Sequence, residues 1–265
     1  MSPRSNAGPE ALRSEVAVRF FMRVMRRQLA GNFRAVRLAR PGLPELPEGR
    51  PVMIYANHPS WWDPALFIAL QGALFPGRIG FGPIDGAMLE RYPFMARIGL
   101  FGVAQDSRRG AAEFLRQARG IVAKPDRVLW ITAQGRFADP RARPLALRPG
   151  AAHLVARAPG LIAVPMAIEY PFWSEKKPEA LVRFGAPVEA APGERPAALA
   201  PRMEAALTET ADALAELAMA RDAAPFETLI GGARGTGGVY GLWQRGRAAL
   251  KGERYSPDHA PEAER

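Results

Sequence analysis

The chain has 265 residues, 48% of them hydrophobic, and a formal charge of +10 from 36 Lys and Arg against 26 Asp and Glu. That size and apolar content suit one large domain or two small ones and exclude global disorder. With no cysteine and three histidines, disulfides, thiolate nucleophiles and cysteine metal sites are excluded, and no metal or other cofactor is expected.

In chain order, residues 1–12 read as a disordered tail. Over residues 13–40 eight arginines stand against Glu15 alone. On a helical wheel Arg19, Arg23, Arg26 and Arg27 share one arc, and Val18, Phe20, Phe21, Val24, Met25 and Leu29 cover the rest. The segment reads as a basic amphipathic, membrane-facing helix. A helix packed on its own domain with a solvated basic edge fits the same pattern, and the two readings are compatible. A proline-rich connector, RPGLPELPEGRP, follows at 40–51.

From there short apolar runs alternate with helical patterns. Strands are expected at 52–56, 78–82, 101–105, 127–133, 161–170 and 180–185. Helices are expected at 65–74, 87–99 (one or two short pieces), 108–123 with Asp106 or Ser107 as cap, 149–158 and 200–221. The alternation predicts an α/β fold: a central, mostly parallel sheet flanked by helices, with an N-terminal amphipathic helix. Residues 50–222 form that domain, and 223–265 read as a Gly-rich, basic C-terminal extension hugging the surface. Its glycines make no phosphate loop, since Tyr240 stands where the third glycine of the spacing begun by Gly235 and Gly237 belongs.

No secretory signal is visible, and no window approaches the roughly 20 apolar residues that span a bilayer. Membrane contact is therefore expected to be peripheral. The basic excess suits an anionic partner, with general genome composition as the plainer source of the bias. Nucleic acid is not the expected partner, because no nucleic-acid-binding motif or interleaved basic–aromatic signature is present.

The stretch ANHPSWWD (56–63) carries the candidate chemistry. His58 follows the strand at 52–56, on the carboxyl edge where such sheets present their sites. Asp63 comes five positions later, within reach if a helix starts nearby. An aspartate bonded to one imidazole nitrogen fixes the tautomer and stabilises the imidazolium formed when the other takes a proton. Such a pair suits a general base acting on a substrate hydroxyl. The structural alternative makes Asp63-Pro64 a helix start, Ser60-x-x-Asp63 a capping box, and His58 a donor to a backbone carbonyl. Asn57 either braces the loop or touches substrate. Of Trp61 and Trp62 at least one should pack in the core, the other lining an acyl channel or meeting lipid. Phe172 and Trp173 read as a second exposed aromatic pair. His153 reads as structural, and His259 lies in the tail.

NHPSWWDP resembles the NH-x4-D motif of the glycerolipid (lysophosphatidic acid-type) acyltransferase family. Gly99–Leu115 resembles that family's second block, Arg127–Ala158 its third, and LIAVPMAI (161–168) its Val-Pro strand. The resemblance spans roughly residues 50–190. It implies transfer of a fatty acyl group from acyl-CoA or acyl carrier protein to a hydroxyl of a lysolipid acceptor, such as 1-acylglycerol-3-phosphate, in lipid biosynthesis. It further implies His58 as base, Asp63 as its partner, and substrate contacts from Asn57, Gln105, Arg108, Arg109, Gln134, Gly135 and Arg136. The expected place is an anionic membrane surface, peripherally on the cytoplasmic face of the cell membrane.

The departures bear on the acceptor. Gln105 stands where the second block usually closes with arginine, and Gly102 where an aromatic is usual. In the third block Ala133, Gln134, Arg136 and Phe137 replace proline, glutamate, threonine and arginine. Losing arginine at two points removes bidentate phosphate recognition there. Arg108, Arg109, Arg136, Arg141 and Arg143 are the candidates to restore it. The alternatives are a non-phosphate acceptor, such as a glycolipid, an aminoacyl lipid or another lipid alcohol, and a non-catalytic lipid-surface binding protein.

Overall fold

The computed structural model describes residues 8–104 and 107–232. In chain order the elements are α1 (Pro9–Leu12), α2 (Glu15–Asn32), β1 (Ala35–Ala39), β2 (Val52–Ala56), α3 (Asp63–Leu74), β3 (Ile79–Asp85) and α4 (Gly86–Arg91). A 3-10 turn (Pro93–Ile98) leads to β4 (Leu100–Val103), α5 (Arg108–Val122), β5 (Arg127–Thr132), α6 (Gly150–Arg157), β6 (Ile162–Glu169), β7 (Glu179–Phe184), α7 (Pro196–Ala220) and β8 (Phe226–Gly231).

The strands form an 8-stranded sheet in the order β4-β3-β5-β2-β6-β7-β1-β8. The five from β4 to β6 run parallel. β7 is antiparallel to β6, β1 is parallel to β7, and β8 is antiparallel to β1. The mostly parallel α/β architecture expected from the alternating pattern is therefore present. β2 lies between β5 and β6, and its five residues VMIYA are all buried. That is what a strand covered on both faces requires of its sequence. Val52, Ile54 and Ala56 join the core beneath α2 and α3, with Leu29, Phe33, Leu66 and Leu70. Met53 and Tyr55 point to the other face, against Ile121 of α5, Leu154 of α6 and Met203 of α7. The buried Tyr55 hydroxyl donates to the Met203 carbonyl at 3.1 Å.

Three expectations are corrected at the termini. The helix expected across 13–40 ends at Asn32, after which AVRLA forms β1. Gly31 and Asn32 are poor helix propagators, and the alternating Val36 and Leu38 bury in the sheet. Residues 226–231, expected in the surface extension, form β8 instead, with Phe226 and Ile230 buried. The sheet thus draws strands from both sides of the 50–222 span. Residues 9–12, expected in a disordered tail, form the short α1, where Glu10 bonds Lys124 at 2.5 Å and Arg127 at 2.9 Å. The rest of the expected extension, 233–265 with His259, and residues 1–7 lie outside the described residues.

α2 packs on its own domain and leaves a solvated basic edge. Leu29 is buried, Phe21 stacks on Phe94 at 5.0 Å, and Met22 lies against Gly72 of α3. Arg19, Arg23, Arg26 and Arg27 are exposed beside the likewise exposed Val16 and Phe20. Among the described residues no helix is long and apolar enough to cross a membrane.

Candidate active site

The site is built where β2 ends. Asn57 continues the ladder with its side chain: Nδ2 donates to the Ile168 carbonyl at 3.0 Å, and Oδ1 accepts the Ile168 N–H at 2.8 Å. Both ends of its amide are spent on β6, so Asn57 braces the loop. The next residue, His58, is gripped by the segment after β5. Its backbone N–H donates to Gln134 Oε1 at 2.9 Å, and its carbonyl accepts from the Ala138 N–H at 3.0 Å.

The chain turns at Pro59-Ser60, where Ser60 Oγ accepts the Trp62 N–H at 3.2 Å, and α3 opens at Asp63. The Asp63 carboxylate points back across the turn. Its Oδ2 meets His58 Nδ1 at 2.6 Å and accepts the Ser60 N–H at 3.2 Å. Its Oδ1 accepts the Tyr170 hydroxyl at 2.7 Å. The residue before α3 is Trp62, without a side-chain cap bond, and Asp63 is the first helical residue, so the aspartate cap does not form. The Ser60-x-x-Asp63 capping box does, through the Ser60 Oγ and Ser60 N–H bonds just given, and the same carboxylate also holds His58. The Asp63 side chain is 0% exposed and that of His58 16%. An ionised carboxylate only accepts, so the hydrogen between the pair is assigned to Nδ1. Nε2 is then the nitrogen with a free lone pair, on a ring that solvent reaches. Such an imidazole can remove a proton from a hydroxyl, with the buried carboxylate balancing the charge it acquires.

The third-block segment lies over this pair. The Phe137 ring packs on the His58 ring at 4.3 Å and 37°, while remaining 60% exposed. Gln134, expected to touch substrate, is 3% exposed with its amide engaged at both ends, Nε2 donating to the Leu145 carbonyl at 2.9 Å. Gly135 has φ +61, and a Cβ there would lie 2.3 Å from Arg148 Nε. Its N–H donates to the Thr132 carbonyl at 3.1 Å, so turn geometry and the arginine laid across it account for the glycine. Arg136 is exposed beside Phe137 and makes no hydrogen bond among the described residues.

The remaining arginines divide. Arg141 bonds Asp139, and Arg143 bonds Asp212 of α7. The hydrogen bonds from Arg141 pull the Asp139 carboxyl down to about 2. Glu169, at the end of β6, is pushed above its ordinary value by burial. Arg108 and Arg109 stand exposed at the start of α5, capped by Ser107. They share the carboxyl edge with His58 but follow β4, three strands from β2, a span of about 14 Å. Gln105 lies outside the described residues.

Trp62 packs edge-on to Phe33 at 5.2 Å, whereas Trp61 is 73% exposed, dividing that pair as expected. Phe172 is exposed, but Trp173 is not: its Nε1 donates to the Ala218 carbonyl at 3.0 Å and its ring meets Phe226. His153 sits in α6 against the core, its buried Nδ1 without a partner.

Tyr170 is the residue that sequence reasoning missed. Its one signal is position: a hydroxyl-bearing aromatic directly after β6, on the same sheet edge as His58.

No family model and no curated protein matches this chain. Among solved structures it is similar to the 1-acyl-sn-glycerophosphate (LPA) acyltransferase PlsC from Thermotoga maritima, with a TM-score of 0.51 and 14% identity over 81% of this chain and 84% of that one. The chain shares that enzyme's α/β fold. At this identity the likeness is one of fold.

Proposed function

We propose that the protein is an O-acyltransferase that moves a fatty acyl group from acyl-CoA or acyl carrier protein to the hydroxyl of a lysophospholipid such as 1-acylglycerol-3-phosphate. The observation that carries this reading is the 2.6 Å contact between His58 Nδ1 and the buried Asp63 carboxylate. It stands at the carboxyl edge of a fold shared with an acyltransferase, inside a stretch resembling the NH-x4-D motif. In the reaction, Nε2 takes the hydroxyl proton as the oxygen bonds to the thioester carbonyl carbon. The carbon–sulfur bond then breaks, and the imidazolium returns its proton to the leaving thiolate. Base assistance of this kind contributes on the order of 10²–10⁴-fold. Asn57, Gln134 and Gly135 act as the scaffold of the two loops, and Arg136, exposed and adjacent in sequence to Phe137, is the candidate cation for a phosphate.

A second reading of the acceptor has its own support. Phe137 stands on His58 where the resembled family has arginine, and Arg141 and Arg143 are already paired with carboxylates. Those features suit an acceptor without a phosphate beside its reacting hydroxyl: a glycolipid, an aminoacyl lipid or another lipid alcohol. In either case the exposed arginines and Phe20 of α2 suit peripheral docking on an anionic, cytoplasmic membrane face.

The test is mass spectrometry of products after the pure protein meets mixed lysophospholipids and non-phosphate lipid alcohols with each donor. Acylated lysophosphatidic acid is the expected product. Acylation confined to non-phosphate alcohols selects the second reading, and no acylated product with either donor rejects both.

A further inference from the structure

The Asp63 carboxylate is fully buried, and its two oxygens are held by different elements. Oδ2 takes the His58 Nδ1 hydrogen at 2.6 Å and the Ser60 N–H at 3.2 Å. Oδ1 takes the Tyr170 hydroxyl at 2.7 Å. Around that hydroxyl the walls are aromatic: Phe33 lies 5.3 Å from the Tyr170 ring and 5.2 Å from that of Trp62. A buried carboxylate remains charged only if donors replace the lost water.

We propose that Tyr170 is a positioning residue of the His58–Asp63 pair, its hydroxyl keeping Asp63 ionised so that the proton taken from substrate stays on the imidazole. Its catalytic consequence rests on the acyl-transfer reading; its effect on where the proton sits does not. Burial, and then the charge of Asp63, hold the Tyr170 phenol well above its ordinary value, so the hydroxyl is a donor at any working pH. Without it Oδ1 has no donor in an aromatic pocket, which penalises the anion. The pair then lowers its energy by moving the shared proton from imidazole to carboxyl. A neutral aspartic acid no longer balances an imidazolium, and the base is weakened.

Other titratable groups belong to the segments that adjoin the pair in the chain and in the sheet. Glu169 adjoins Tyr170 on β6. Arg136, Asp139, Arg141 and Arg143 come from the segment after β5, and Arg34 lies between α2 and β1. Among them Arg141 is bonded to Asp139 and Arg143 to Asp212, and among the described residues the donors to the Asp63 carboxylate are the three given above. Tyr170 is therefore the one donor on Oδ1 whose removal keeps the surrounding ring packing, since Tyr170→Phe retains the ring against Phe33.

The test is infrared spectroscopy of the full chain at mildly acidic pH, with ¹⁵N-histidine NMR on the same samples. In the wild type the pair's added proton is expected as an imidazolium at His58, with no carboxylic-acid band from Asp63. In Tyr170→Phe a carboxylic-acid band is expected, and it should vanish in Tyr170→Phe/Asp63→Asn. A folded Tyr170→Phe chain without that band overturns the proposal. So does a wild type whose proton already sits on Asp63, a result that needs no variant. If the wild type transfers acyl groups, Tyr170→Phe should lower kcat about tenfold or more with KM within about twofold. If it transfers none, the functional reading fails while the spectra still decide the role of Tyr170.

Discussion

Gln134 Oε1 accepts the backbone N–H of His58 at 2.9 Å, and the same amide donates through Nε2 to the Leu145 carbonyl. A neutral amide accepts on one side and donates on the other, whereas an ionised carboxylate of the same size only accepts. The glutamine is thus a clamp between the histidine loop and the segment leading to α6. Gln134→Glu, which restores the residue usual in the resembled family, leaves a buried carboxylate facing a carbonyl. It is expected to destabilise the fold by about 1–3 kcal/mol. Urea unfolding measures this; an unchanged midpoint would show that the clamp is dispensable.

Phe137 packs on the His58 ring while largely open to solvent, so its replacement should alter substrate choice more than stability. Phe137→Arg is expected to change unfolding by less than about 0.5 kcal/mol, as exposed substitutions do. It should raise kcat/KM for phosphate-bearing acceptors relative to neutral alcohols by about tenfold, the worth of one charge-assisted contact. Paired kinetics with the two acceptor types check this.

The exposed arginines of α2 flank Phe20 and Val16 on the face turned away from α3. Replacing Arg19, Arg23, Arg26 and Arg27 together by Gln should abolish sedimentation with anionic vesicles and leave thermal stability near that of the wild type. Binding by the unaltered chain should weaken as salt rises. Salt-independent binding, or retention in the variant, would place the lipid contact elsewhere.

Glu10 fastens α1 to Lys124 and Arg127. Burial raises its pKa, but the hydrogen bonds from Lys124 and Arg127 outweigh that and hold it below the ordinary glutamate value. A folded-state pKa below the unfolded one contributes stability above the unfolded value and loses it as pH falls through the folded one. Acidification below about pH 4 should therefore release residues 8–13 before the sheet opens. Hydrogen exchange of those amides against β2 is the measurement.

The sheet's centre was legible because its strands are short, apolar and separated by helical periodicity: VMIYA and LIAVPMAI can scarcely be read otherwise. β1 and β8 were not, for opposite reasons. AVRLA continues an arginine-rich segment whose helical period hides a two-residue alternation. FETLIG opens a glycine-rich run, and only pairing with β1 makes it a strand. In the site, the five-residue spacing from His58 to Asp63 was readable, since one turn after a strand brings such residues together. The roles of Gln134 and Tyr170 were not. Each depends on a partner far along the chain: His58 and Leu145 for the one, Asp63 for the other.

In the proposed reaction His58 acts as the base of acyl transfer. The most direct measurement is acyl-transfer rate in wild type and His58→Ala, each shown to be folded by circular dichroism and to bind vesicles equally. The expected result is a loss of at least about 10²-fold in kcat with the fold intact. A folded His58→Ala chain that transfers acyl groups at the wild-type rate would contradict it.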